Sequence, residues 1–331
     1  MTASAPNPVL QAWIDATAGS DEEFVEQAWR RMLRRPPEEA GKARALARLA
    51  DGTLSRATLL RELATDDEFT RVTLLDDGLS LAAGARRSGA RPRGLVAPAD
   101  TDERLVEIPW CLSRYAGERR VLDAGYAFAE PSYLAGLVGL GVPELTGVDL
   151  AEASVPGMTG VVADLRELPF ADRSFDLAFC ISTLEHIGLD NQVYGLTAAH
   201  EPEGQLRALK EFRRVLASHG RLLISVPTGE QQELGWQVQR PPAAWIDLFE
   251  KAGFIVFEDE VYELGSDGWR STSSLVTEGA RYGERGPAAS AVLCAELRPK
   301  SLSETVRLAV RDFRHRDEPR RSTRGDGTDA A

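Results

Sequence analysis

The sequence predicts an α/β protein: a doubly wound parallel sheet of seven strands, preceded by a small all-α domain. Three observations predict it. Between residues 101 and 299, seven short apolar runs alternate with helical stretches. The first three of those runs each end on an aspartate. Before them, residues 1–85 show helical periodicity and nothing that reads as a strand.

The helical part opens with Ser20-Asp21-Glu22-Glu23, a capping box in which Ser20 bonds the Glu23 amide and Glu23 reaches back. Phe24, Val25, Ala28, Trp29, Met32 and Leu33 then form one apolar helix face. Arg34-Arg35-Pro36-Pro37 stops this helix, because proline disfavours the α conformation in the residue before it. Further helices are expected around residues 43–49 and 55–63, and Thr65-Asp66-Asp67-Glu68 before Phe69 reads as a second capping box. Helices this short are marginal alone and must pack on one another. Residues 86–100, rich in Arg, Gly and Pro, read as a linker. Residues 300–316 predict a helix with Leu302, Val306, Ala309 or Val310, and Phe313 opposite Arg307, Arg311 and Arg314, a docking face, with a membrane-surface role as the alternative. Residues 317–331 are polar and predict a disordered tail.

The text DEEFVEQAWRRMLRRPPEEAG…LARLADGTLSRATLLRELATDDEF resembles a small helical domain related to phycobilisome linkers. It departs from that family's G-R-x-P-D turn at Arg34-Arg35-Pro36-Pro37. The resemblance implies protein docking rather than chemistry.

In the middle segment the strand runs are 120–123, 144–149, 161–164, 175–181, 221–226, 255–262 and 291–297. They lack polar alternation, as strands do when helices cover both faces of the sheet. Gly220 before the fifth run fits a chain leaving a helix in the left-handed conformation. In such a sheet, ligands bind at the carboxyl ends of the strands. Asp123, Asp149 and Asp164 end the first three runs and project there. A second-strand acid can accept from both ribose hydroxyls, and a third-strand acid from an exocyclic amine.

The string VLDAGYAFAE…LTGVDL…VVADLRELPFADRSFDLAFCISTLEHIG…LKEFRRVLASHGRLLISVP resembles the Rossmann-like class I S-adenosylmethionine-dependent methyltransferases, in the branch found in bacterial glycan and natural-product clusters. The resemblance implies S-adenosyl-L-methionine as cofactor, with Asp123 and Gly125 near its methionine part and Asp149 on the ribose. Asp164 would meet the adenine amine, Leu150 and Leu165 would flank the adenine, and Ser182 would lie at the mouth of the fourth strand. One departure stands out. The usual Gly-x-Gly-x-Gly loop is Gly125-Tyr126-Ala127-Phe128-Ala129, and alanine disfavours positive φ. The cofactor would then pack on Tyr126 or Phe128, beside Ala127. A nicotinamide dehydrogenase shares the fold, but its fingerprint would place Glu130 where a pyrophosphate must approach.

A methyl donor already activated as a sulfonium leaves the protein to align and desolvate the acceptor. An oxygen or nitrogen acceptor also needs a base. His186, in Leu184-Glu185-His186-Ile187 after the fourth strand, is the first candidate and Glu185 the second. His219 reads as structural and His200 as a surface residue. Glu185, His186 and Asp190 lack ligand spacing, so no metal is expected. Acceptor specificity should lie in residues 189–203, 228–242 and 265–287. These carry Tyr194, Trp236, Trp269 and Tyr282 to stack on rings, and Arg240, Arg270, Arg281 and Arg285 to hold an anionic group.

Composition bounds the reading. With 331 residues, 43% hydrophobic and 27% charged, the chain is ordinary for globular proteins, and its length suggests two domains. A net charge of −12 argues against nucleic acid as partner. The preference for arginine over lysine reads as the codon usage expected of a GC-rich, bacterial genome and supports no functional inference. Cys111, Cys180 and Cys294 form no CxxC pair, so neither a disulfide scaffold nor a zinc site is expected. No integral membrane segment and no signal peptide are apparent, which predicts a cytoplasmic protein. The sequence thus predicts methyl transfer to a small-molecule, sugar or glycan acceptor at oxygen. A catalytically silent scaffold in glycan assembly is the alternative.

Overall fold

A computed structural model describes residues 19–300, other than 191, 193, 194, 196–199, 275, 276 and 287. The expected carboxyl-terminal helix and tail, and Tyr194, lie outside the described residues.

Four helices open the described chain: α1 (Asp21–Met32), α2 (Glu39–Ala50), α3 (Arg56–Ala64) and α4 (Asp67–Ser88). The Ser20 capping box forms, with Glu23 N bonded to Ser20 Oγ and Ser20 N to Glu23 Oε2. The second one does not. Asp66 caps α4 instead, and Thr65 turns its hydroxyl back to the carbonyls of Arg61 and Glu62. Glu68 is thereby released to make a two-bond pair with Arg35. Arg34 takes φ 58°, the left-handed conformation that glycine adopts more readily, and pairs with Asp76. Phe24, Val25, Ala28, Leu59, Leu60 and Leu63 close a core among α1–α3.

Residues 89–100 are pinned to the sheet rather than free as a linker. Arg91 pairs with Glu258 and Glu296, the Gly94 amide bonds Glu260, and Ala97 bridges to Trp269. Next comes α5 (Arg104–Leu112), buried along nearly its whole surface. The alternating part contains β1 (Arg120–Ala124), α6 (Pro131–Val138), β2 (Glu144–Asp149), β3 (Thr159–Val162), β4 (Phe175–Ile181), α7 (Gly204–Val215) and β5 (Leu216–Pro227). The short β6 (Gln232–Glu233) and β7 (Val238–Gln239), α8 (Pro242–Lys251), β8 (Phe254–Gly265), β9 (Gly268–Thr272) and β10 (Ala291–Pro299) complete it.

One sheet has the order β3-β2-β1-β4-β5-β10-β8-β9, with β1 to β5 parallel and β10 antiparallel between β5 and β8. The seven expected strands are all present. The eighth, β9, lies in a stretch read from sequence as a variable loop. It pairs antiparallel with β8 and buries Trp269, which anchors it by roughly 2–3 kcal/mol of apolar burial. Gly220 does not take the left-handed conformation. The chain passes from α7 into β5 at Leu216 in extended geometry, and Gly220 lies inside the strand.

Both faces of the sheet are covered. Phe212 and Val215 of α7 and Trp245 and Phe249 of α8 pack on one face. The apolar residues of α5, with Tyr133 and Leu137 of α6 and Leu75 of α4, pack on the other. No described helix is long and apolar enough to cross a membrane.

Candidate active site

The strand order reverses beside β1, where the loops after β1 and β4 leave the sheet in opposite directions, and a cavity opens at the carboxyl ends there. It measures about 260 Å³ and runs from the end of β3 past β2, β1 and β4 to the chain after β5.

Asp123 ends β1 buried. Tyr133 donates its hydroxyl to Asp123 Oδ1 at 2.6 Å, while Oδ2 has no hydrogen-bond partner among the described residues. Burial pushes this carboxyl up to about 7, against the opposing Tyr133 bond. Asp149 ends β2 and accepts from the amides of Ala127 and Ala151, so it organises the loops after both β1 and β2. Asp164 lies just beyond β3 and is clasped by the Arg166 guanidinium, with Arg166 Nη2 at 2.6 Å. That guanidinium also reaches Glu201. Leu150 and Leu165 line the same end of the cavity.

The loop after β1 resolves the missing glycines. Only Gly125 takes positive φ, at 87°, and a β-carbon there would stand 2.3 Å from Thr183 Oγ1. Residues Tyr126–Phe128 form one 3-10 turn and Ala129 is extended at φ −71°, so neither alanine needs the conformation it disfavours. Phe128 lines the cavity, but Tyr126 does not. Tyr126 lies buried against Gly147 and Gly160 and donates to the Ala153 carbonyl, so its ring packs beneath the loop instead of lining the cavity where stacking on a cofactor was expected. Gly147 and Gly160 leave the room its ring fills.

Beyond β4, Ser182 takes φ 42°, a strained value for a residue with a side chain. Its amide bonds Ser225, and its hydroxyl donates to both oxygens of Glu107, at 3.0 and 2.8 Å. The 3-10 turn Leu184–His186 follows. His186 Nδ1 is 3.0 Å from the Trp236 carbonyl, which can only accept, so the neutral ring keeps its lone pair at Nε2. Burial lowers the His186 imidazole to about 4, so it is uncharged at neutral pH. Its ring stacks on Trp236 at 5.2 Å, and Trp236 meets the edge of Tyr282 at 5.8 Å. Glu185 is fully buried, with Oε1 3.8 Å from His186 Nε2, and burial holds its carboxyl well above the ordinary range.

Sequence reasoning missed the contribution of α5. Glu103 just before the helix, and Arg104 and Glu107 within it, all line the cavity. Of the variable-stretch residues, Trp236 and Tyr282 reach it, whereas Trp269 is in the core. None of the four arginines lines it. Arg240 binds Gln205, Arg281 pairs with Glu230, Arg285 bonds the Leu264 carbonyl, and Arg270 faces Asp267 at the surface. His200 and His219 are exposed.

The strand order and the carboxylate-ended cavity define a doubly wound, Rossmann-like α/β fold. Residues 122–224 match a family model described as a methyltransferase domain. Over 112 residues the chain is 32% identical to an uncharacterized protein of Methanocaldococcus jannaschii, covering 32% of this chain and 42% of that protein. Over 118 residues it is 34% identical to a protein of Encephalitozoon cuniculi that carries methyltransferase as a provisional name, covering 34% and 47%. The chain thus spans less than half the length of these curated relatives. Among solved structures, it is similar to the Burkholderia thailandensis 1,6-didemethyltoxoflavin-N1-methyltransferase. That similarity has a TM-score of 0.39 and 15% identity over 78% of this chain and 87% of the other.

Proposed function

We propose that this chain is an S-adenosylmethionine-dependent methyltransferase acting on a small-molecule acceptor. The observation that carries the reading is the row of Asp123, Asp149 and Asp164 at the ends of three adjacent strands, lining one cavity beside Gly125. The residues suit the cofactor. Asp123 Oδ2 is a buried acceptor oxygen without a partner among the described residues, suited to a cationic methionine end. Asp149 would take the ribose hydroxyls, Asp164 the adenine amine, and Leu150 and Leu165 the faces of the base. Bound there, S-adenosylmethionine supplies a methyl carbon to the acceptor lone pair while the carbon–sulfur electron pair stays on sulfur.

The chain's own part is to exclude water, orient the acceptor and move a proton. Neutral His186 and buried Glu185 are the groups placed to take that proton. The oxygen of a sugar or glycan, the acceptor expected from the sequence, has the Trp236 and Tyr282 rings to stack on. Among the described residues, none of Arg240, Arg270, Arg281 and Arg285 lines the cavity to hold an attached anion. The helical part on the amino-terminal side would dock a protein, as its resemblance implies.

Calorimetric titration with S-adenosylmethionine and S-adenosylhomocysteine tests the enzyme reading. Binding is expected, and Asp149→Ala should abolish it. No binding of either ligand at millimolar concentration overturns the proposal.

A further inference from the structure

The aspartates at the strand ends account for only part of the negative lining. Among the described residues, the cavity wall holds seven carboxyl side chains against two guanidiniums. We propose that the end of the cavity between α5 and the chain after β4 takes the acceptor as a protonated amine, held by Glu103, Glu107 and Glu185 beside Trp236 and Tyr282, so that nitrogen is the methylated atom. This inference rests on the methyltransferase reading above.

Glu103 and Glu185 are each more than nine-tenths buried, and in each Oε2 has no hydrogen-bond partner among the described residues. Buried carboxyl oxygens are costly when unpaired, and a cationic ligand that donates N–H bonds is the partner that completes them. The neighbouring cation does not do so. Arg104 is turned to Asp102 at 3.3 Å and Glu130 at 3.9 Å. Glu107 lines the same space and is held in place by the Ser182 hydroxyl. Burial pushes Glu103 up to about 8 and raises Glu107 and Glu185 as well, a preference that an incoming ammonium reverses. The rings of Trp236 and Tyr282 add faces that attract a cation.

A hydroxyl acceptor brings no charge to this pocket, and an anionic one is repelled by it. Each turnover releases one proton. The ammonium gives one proton to neutral His186, whose Nε2 lies 3.8 Å from Glu185 Oε1, which exposes the nitrogen lone pair. The nitrogen then takes the methyl group as the carbon–sulfur pair stays on sulfur, the product leaves as an alkylammonium with one positive charge, and the proton held by the base passes to solvent.

The test is titration of the full chain, saturated with S-adenosylhomocysteine, with three probes of similar shape: 2-phenylethylamine, 2-phenylethanol and 3-phenylpropionate. The amine should bind at least about tenfold tighter than the alcohol, and the carboxylate not at all. Glu103→Gln and Glu185→Gln should each weaken the amine about tenfold and leave S-adenosylhomocysteine affinity within about twofold. Both substitutions keep the side-chain shape and replace a buried carboxyl whose Oε2 has no hydrogen-bond partner among the described residues, so the variants should melt close to the parent. The preference of the unmodified chain for amine over alcohol tests the proposal even if a variant folds poorly. Equal or tighter binding of the alcohol or the carboxylate overturns it, as does failure of all three probes. A parallel loss of S-adenosylhomocysteine and amine affinity assigns these carboxylates to the cofactor and also overturns it. Failure of S-adenosylhomocysteine itself to bind removes the methyltransferase reading instead, so the two failures are distinct.

Discussion

Thr183 fills the space where a side chain at Gly125 would have to go: an added β-carbon would stand 2.3 Å from its Oγ1 and 2.7 Å from its Cγ2. The Thr183 hydroxyl is itself engaged with the carbonyls of Ala124 and Ile181, so it cannot simply swing aside. The end of β4 therefore dictates glycine at the end of β1.

Gly125→Ala should accordingly lose at least about tenfold in S-adenosylhomocysteine affinity, from positive φ and the clash together. Ala127→Gly and Ala129→Gly should stay within about twofold, because neither position uses positive φ. Calorimetry on the three variants decides the matter. A large gain from restoring the glycines would contradict this account of the loop.

The neutral His186 ring predicts where activity fails in acid. Its imidazole is lowered to about 4, so the unfolded chain binds this proton more readily than the folded one. The stability it contributes is present above the ordinary value near 6.5 and is lost as pH falls through about 4. In the pH dependence of kcat/KM, which reports the free enzyme, a base of this kind gives an acid limb near 4, and one at about 6.5 would refute the assignment. His186→Ala should slow transfer by about 10²-fold or more with S-adenosylhomocysteine binding intact. An unchanged rate removes it as base.

Asp123 works in the opposite sense. Its carboxyl is raised to about 7 in the fold, so the folded state holds the proton more tightly than the unfolded chain. That contribution is full below the unfolded value near 4 and is lost as pH rises through 7. Asp123→Asn keeps an acceptor for Tyr133 and should raise the melting temperature of the ligand-free protein at pH 8 while changing it little at pH 4.5. Melting curves at the two pH values check the sign.

A packing prediction concerns α4 and α5. A β-carbon on Gly78 would stand 2.8 Å from Pro109 Cγ. Gly78→Ala gains helix propensity, yet should destabilise by about 1–3 kcal/mol through overpacking. Denaturant unfolding would reveal it, and a more stable variant would show that the two helices yield.

The sheet was legible because its strands are uninterrupted apolar runs, and because Asp123, Asp149 and Asp164 mark three strand ends. β9 was not, since Gly268-Trp269-Arg270-Ser271-Thr272 is too short and polar to show a period, and it exists only by pairing with β8. The second capping box misled because Thr65 and Asp66 are both good caps, and the choice fell to where α3 ends. The α5 carboxylates escaped notice because Glu103 and Glu107, four residues apart, look like one solvated helix face. The clue was available in Leu105, Val106, Ile108, Trp110, Cys111 and Leu112, a helix apolar all round, which leaves Glu107 no water to face. The arginines were misplaced for a simpler reason. A loop sequence does not say which way its side chains turn, and each of the four found a partner outside the cavity.

The 22 residues of α4 carry a practical consequence for anyone dividing this chain. Leu75 and Gly78 back the very helix that supplies Glu107, and Leu79 closes over Gly136 of α6. A fragment cut to begin at residue 101 would retain every strand of the main sheet yet leave the outer surfaces of α5 and α6 bare. One wall of the cavity would then be a greasy helix facing water, apt to clump or swing away. Fragments meant to bind ligand should start ahead of Asp67, whatever a strand-based boundary would recommend.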